Sequence, residues 1–303
     1  MTRAAVIASA AIGWVAIALG DAATLRDRFV EGRGEGPPMV VIAATSFTMG
    51  SAPEAPSYSP DARAHQVELS PYAIGAFEIT NEEMSAFLND GGDRPDDDVP
   101  PIDLDLPASG IEKHGASYAP KAAAARRPVV GVTWRAARAY CRWLSSKTGH
   151  AYELPTAAQW EAAARAGSTQ TWWWGDRDEP SRYRGYQQGV AAPQPADVGS
   201  LPPNPWGLHD TSGNVWEWTL DCFAPDFYLV SPRRDPVFFD ASCMAPEIRG
   251  GGFTDPGGFV SPGYRASTIW AVKHNTLGFR VARQVTADEV TRLAVNPARA
   301  DRE

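Results

Sequence analysis

Apolar positions recur with two different rhythms along this chain. Residues 39–50 (MVVIAATSFTMG) run apolar, break at polar positions and run apolar again before a glycine, which predicts a pair of strands. His65 to Leu69 (HQVEL) alternates as a further strand would. Three other stretches carry a helical period. Thr80 and Glu83 have capping-box spacing ahead of an apolar stripe at Met84, Phe87 and Leu88, and that helix is expected to stop by Gly91. A short strand through Pro128 and Val129 leads to Thr133, an N-cap for a helix with Ala136, Tyr140, Trp143 and Leu144 facing inward and Gly149 at its end. Thr156 and Gln159 make a second capping box for a helix carrying Trp160, Ala163 and Ala164. Residues 51–64 are proline- and serine-rich and read as a loop. Residues 93–121 are acidic, proline-rich and without period, so they read as a surface excursion.

The densest stretch is 204–221, NPWGLHDTSGNVWEWTLD. If 215–218 is extended, Trp216 and Trp218 share one face while Val215 and Glu217 share the other. A carboxylate between two large apolar anchors is costly unless something positive meets it. Asp210 and the turn at Gly213 and Asn214 suggest a hard cation such as calcium, which takes carboxylates together with backbone carbonyls. The alternative is a buried Glu217 bonded to backbone amides or to an arginine.

This stretch, with ELPTAAQWEAAAR (153–165), EIRGGGF (247–253) and LGFRVAR (277–283), resembles the formylglycine-generating enzyme, or sulfatase-modifying-factor, family, with the motifs in that family's order. The resemblance runs from about residue 39 to 283. It implies a single loop-rich α+β domain with a C-type-lectin-like core and little regular secondary structure, and calcium held by Asp210, Gly213, Val215 and Glu217. Another calcium site of the family draws on an Ala-Asn-hydrophobic sequence; this chain reads SRYRGYQQG (181–189), so that site is not carried over. The family's enzymes hold copper(I) with two cysteines spaced Cys-x-x-x-x-Cys, since thiolates suit that soft ion. In RGGGFTDPGGFVSPGYR (249–265) the matching positions are Asp255 and Val260, or Ser261 when counted back from Arg265, so copper is not expected. The remaining candidate pocket is Arg249, Asp255, Tyr264, Arg265 and His274. Some family members without the cysteine pair are similar in being periplasmic and acting in oxidative maturation of small molecules such as siderophores.

Composition narrows the remaining choices. A net charge of −8 argues against nucleic acid as a partner, because phosphate binding needs a basic surface. Eleven tryptophans, 27 glycines and 26 prolines suit a loop-rich fold rather than a helical bundle. Trp172, Trp173 and Trp174 are adjacent and cannot all face one side of a strand, so they offer either a ligand groove or anchors covered by loops. Arg3 followed by the apolar run 4–20 matches a secretory signal peptide over residues 1–23, or else an uncleaved membrane anchor. Both place the domain outside the cytoplasm, periplasmic or secreted. A linker is then expected over 24–38, the domain over 39–283 and a polar tail over 284–303.

In an oxidising compartment Cys222 and Cys243 can bridge, leaving Cys141 on a buried helical face. No serine-hydrolase elbow, phosphate loop or paired-histidine metal spacing is present. Two readings stay open. One is an exported oxidoreductase-like enzyme of the family with other chemistry, and the other is a non-catalytic domain binding a small molecule, peptide or protein. Genuine sulfatase modification is a lesser third.

Overall fold

The computed structural model describes residues 24–51, 61–94, 98–187 and 189–295. The expected leader over 1–23 lies outside them, as do residues 296–303 of the tail. No helix of the described residues is long and apolar enough to cross a membrane.

Two small sheets carry the architecture. The first contains β1 (Thr24–Leu25), β2 (Met39–Ile42), β5 (Tyr72–Gly75), β13 (Ala282–Gln284) and β8 (Tyr152–Glu153), hydrogen-bonded in that spatial order. The second contains β11 (Ala266–Ser267), β10 (Pro246–Arg249), β9 (Trp216–Cys222) and β12 (Leu277–Gly278), with only the β12 to β9 pairing parallel. Hairpins β3–β4 (Thr45–Met49, His65–Leu69) and β6–β7 (Ile111–His114, Ser117–Pro120) stand beside them. The strand pair expected in 39–50 exists, but its halves join different sheets: β2 pairs β5, while β3 pairs β4.

The capping chemistry read from the sequence is present. Helix α1 (Asn81–Phe87) starts with a reciprocal box between Thr80 and Glu83, followed by an irregular turn to Gly91 at φ +87°. Helix α2 (Trp134–Thr148) is capped by Thr133 and ends at Gly149 in the left-handed region. Helix α3 (Ala157–Arg165) opens on the Thr156 and Gln159 box. Trp134, Tyr140, Cys141 and Leu144 of α2 pack into one core cluster with Trp216, Trp218 and Phe279. The alanine face of α3 seals a second cluster against Val40, Tyr72 and Ile74. Small residues let that helix lie close on the first sheet.

Three segments depart from the expected pattern. Residues 24–38, expected as a linker, enter the fold: Thr24–Leu25 pairs with β2, and buried Asp27 meets Arg283 at 2.7 Å and accepts from the Tyr152 hydroxyl at 2.6 Å. The 93–121 excursion contains the β6–β7 hairpin, whose Ile111 is fully buried. The tail forms α5 (Ala287–Val295), where Glu289 reaches Arg283 and Val290 and Leu293 lie on the core. In each case a few contacts distant in sequence order a stretch whose local composition is polar.

Cys222 and Cys243 are bridged with their Cα atoms 5.7 Å apart, and Cys141 is a buried free thiol. Between the bridged cysteines lies the short helix α4 (Phe227–Val230), whose Tyr228 is buried against Arg249. The bridge closes 21 residues. Replacing both cysteines by alanine is expected to lower unfolding free energy by about 3 kcal/mol through the larger freedom of the unfolded chain. Urea denaturation of the pair variant against the parent checks this.

Candidate functional site

Strand β9 and its neighbour β10 carry two adjoining buried polar clusters on one face, that of Glu217 and Asp221, with Arg249 paired directly across from Glu217. Glu217 is fully buried, with both carboxylate oxygens engaged by Arg280 at 2.6 and 2.7 Å and a further bond from Trp160 Nε1 at 2.8 Å. Of the partners left open for Glu217, the structure shows the arginine. Arg280 also donates to the carbonyls of Gly75 and His209, so its planar fork joins the first sheet to the second.

Asp210 and Glu78 complete this cluster. Asp210 adopts φ +58° and accepts from the Gly199 amide at 2.7 Å. Glu78, which the sequence reading did not single out, accepts from Asn214 Nδ2 and the Val215 amide. Burial drives the Glu78 carboxyl well above its ordinary range, and the neighbouring charges of Asp210 and Glu217 push it further, against Arg280. Burial also raises Asp210. Three buried carboxylates thus face one guanidinium. Gly213, at φ +80°, packs where a Cβ would collide with the Arg184 carbonyl, holding the turn that carries Asn214 and Val215. Among the described residues no three His, Cys, Asp or Glu side chains are grouped as metal ligands. A cation here therefore depends on backbone carbonyls beside the carboxylates. The clustered carboxyl and carbonyl oxygens are hard donors of the kind that fit calcium.

The second cluster absorbs two residues assigned to the candidate pocket. Arg249 is fully buried between Glu247 at 2.8 Å and Glu161 at 2.9 Å, and donates to the Tyr228 hydroxyl. Arg265 pairs with Glu247 at 2.6 Å. Both guanidinium groups are directed into this chain of ion pairs rather than toward Asp255. Asp221, beside the same cluster, is pushed up to about 7 by burial and then by the charge of Glu247, against hydrogen bonds from the Ala157 and Phe238 amides.

Asp255, part-buried, lies at the Trp216 edge of β9. Its Oδ2 accepts from Trp216 Nε1 at 2.8 Å and from the Gly252 amide at 2.8 Å. Gly252 permits this because a Cβ there would stand 2.8 Å from Thr276 and 3.3 Å from Asp255 Oδ2. Tyr264 lies with its ring 6.1 Å from Trp216 and 4.8 Å from Phe259. His274 is bonded through Nδ1 to the Thr276 hydroxyl at 2.9 Å. Val260 and Ser261 are fully buried, and Ser261 donates to the Gly258 carbonyl.

The three adjacent tryptophans fold onto one another. Trp172 is buried; Trp174 stacks on it at 5.6 Å and on Tyr183 at 6.5 Å, while Arg182 covers Trp173. Trp172 and Trp174 are thus paired face to face, while Trp173 meets Trp174 edge-on at 88°. The signals for this lay in Arg182 and Tyr183, the latter eleven positions from Trp172, and are silent until the loop folds back.

A family model for the sulfatase-modifying factor enzyme 1-like domain matches residues 26–285. The formylglycine-generating enzyme of Streptomyces coelicolor is 30% identical, over 80% of this chain and 88% of its own. A serine/threonine-protein kinase, pkn1, of Chlamydia pneumoniae is 29% identical over 85% of this chain and 41% of its own length, so this chain spans about two fifths of that relative. Among solved structures, PvdO from Pseudomonas aeruginosa superposes with a TM-score of 0.69 at 30% identity, covering 82% of this chain and 95% of that one.

Two outcomes follow from the buried charges. Arg280→Met is expected to destabilise the domain by roughly 3–5 kcal/mol, because it strands Glu217 beside two other carboxylates; denaturant unfolding reads this directly. Asp221 holds a proton in the folded state that the unfolded chain releases near pH 4. Its contribution therefore makes stability fall as pH rises from about 4 to about 7. Asp221→Asn should flatten that part of the stability profile, and an unchanged slope would contradict it.

Proposed function

The chain belongs to the sulfatase-modifying factor enzyme 1-like family, and we propose that it is an exported, calcium-stabilised member that does not carry out copper-dependent oxidation of cysteine to formylglycine. One observation carries this reading: no pair of free thiols is available. Of three cysteines, Cys222 and Cys243 are bridged and Cys141 is buried in α2 with its thiol pushed well above its ordinary range by burial. At the position where the resemblance implies the first copper ligand stands Asp255, tied by Trp216 and Gly252. A carboxylate is a poor partner for copper(I).

Calcium is assigned to Asp210, the carbonyls of Gly213 and Val215, and the carboxylate cluster of Glu217 and Glu78. The support is the gathering of the buried Glu78, Asp210 and Glu217 carboxyl groups around the one guanidinium of Arg280, beside the turn at Gly213. Bound calcium would favour the ionised forms of these carboxyl groups, while Asp210 and the turn at Gly213 orient β9 and with it Trp216. Export rests on the apolar run after Arg3 and agrees with a disulfide, which persists in oxidising compartments. The ligand site is placed at Asp255, Tyr264 and Trp216, with His274 held at its margin by Thr276. A binding-only module is the second reading, favoured by the absence of an ion-pair partner or a paired base for Asp255 among the described residues.

Calcium and copper(I) titrations of the purified domain, with unfolding followed in each, test this proposal. Calcium at a hundred times its dissociation constant should stabilise by about 2.7 kcal/mol, and Asp210→Ala should remove that gain. A sulfatase-type cysteine peptide should remain unoxidised with copper present. Tight copper(I) binding together with peptide oxidation would restore the family's ordinary activity and reject the proposal.

A further inference from the structure

Asp255 is held rigidly yet left electrically uncompensated. Its Oδ2 takes two neutral N–H donors, Trp216 Nε1 and the Gly252 amide. Neutral donors orient a carboxylate without cancelling its charge. Among the described residues it forms no ion pair with lysine, arginine or histidine. The nearby cations behind the 261–265 loop are already matched: Arg165 by Glu161, Arg249 by Glu161 and Glu247, and Arg265 by Glu247.

The surroundings are aromatic. Trp216, Tyr264 and Phe259 form a continuous series of rings, tilted to one another at 56° and 54°. Phe259 projects from the turn Gly257–Val260 and is 40% exposed, an unusual position for a phenylalanine with a buried neighbour on either side of its turn. Further carboxyl groups lie close by. Burial raises the Tyr264 hydroxyl above its ordinary value, and the charges of Asp255 and then Asp61 raise it further. Asp178 packs directly on Gly257, two positions from Asp255.

From this arrangement we propose that Asp255, with the faces of Tyr264 and Phe259 and the Trp216 N–H edge that holds its carboxylate, forms a binding site for an organic ammonium group, the charged end of a small molecule or a peptide side chain. A single carboxylate among rings is a poor site for an inorganic hard cation, which requires six or more oxygens. Ring faces instead attract a diffuse, weakly hydrated cation through their quadrupoles, and the carboxylate supplies the net charge. The inference rests on the reading that Asp255 marks the ligand site of a member without copper thiolates. It adds the class of ligand that this site takes.

The test uses the calcium-loaded full domain with choline as the probe and the neutral tert-butyl isostere of choline as control, followed by the Trp216 indole N–H resonance. Choline should shift that resonance saturably, and the isostere should bind on the order of tenfold more weakly. Asp255→Asn keeps an acceptor for Trp216 and Gly252 but removes the charge, and should weaken choline by on the order of tenfold. Phe259→Ala, at an exposed position, should weaken it several-fold without altering the unfolding midpoint. Equal binding of choline and isostere, an unaffected Asp255→Asn variant, or no shift at saturating choline each overturns the inference. In a domain that calcium stabilises and copper(I) ignores, such a failure removes this ligand assignment alone. Copper(I) binding with peptide oxidation would instead remove the reading beneath it.

Discussion

The fork of Arg280 on Glu217 is the contact on which the rest of the arrangement depends. Glu217 belongs to an inner strand of the second sheet, and Arg280 follows β12 on the way to the first. One guanidinium thus satisfies a buried carboxylate, a carbonyl of β5 at Gly75 and the carbonyl of His209. Neither charge could be left in this interior alone, since desolvation of an unpaired ion costs several kcal/mol. The pair therefore fixes how the two sheets meet, and Asp210 and Glu78 crowd two more buried carboxyl groups around it.

The same strand distributes chemistry to opposite sides. Glu217 turns toward Trp160 and Arg280, while Trp216 turns toward Asp255 and Trp218 toward the carbonyl of Val132. Alternation of β9 thus separates a structural charge cluster from a partly open site only one residue apart. The ion-pair chain of Glu161, Arg249, Glu247 and Arg265 backs the 249–265 segment from inside. A loop rich in glycine gains a fixed shape from that backing, so Asp255 and Phe259 can be presented outward without regular secondary structure beneath them.

Much of this was legible in the amino-acid order. Helix starts are local events, so the Thr80 and Thr156 boxes and the Thr133 cap could be read from side chains three positions apart. The departure of residues 249–265 from a two-cysteine copper site was equally plain, because it concerns which residue types are present. The assignment of Arg249 and Arg265 to a pocket could not be judged that way. Each is defined by carboxylates from α3 or β10, and Glu161 lies 88 positions from Arg249. Trp172 to Trp174 likewise took their arrangement from Tyr183 and Arg182 on a returning loop.

The sequence by itself determined the family, the capped helices, the pairing partners available to cysteine and the lack of thiolate ligands at residues 249–265, since each is a matter of composition or short spacing. Only the tertiary structure decided which buried carboxylates share Arg280, that residues 24–38 close an edge of the first sheet, and that Asp255 keeps its charge uncompensated among aromatic rings. Those outcomes depend on distances between residues far apart in the chain, and a hydrogen bond or ion pair carries no mark in either partner until folding brings the two within about 3 Å.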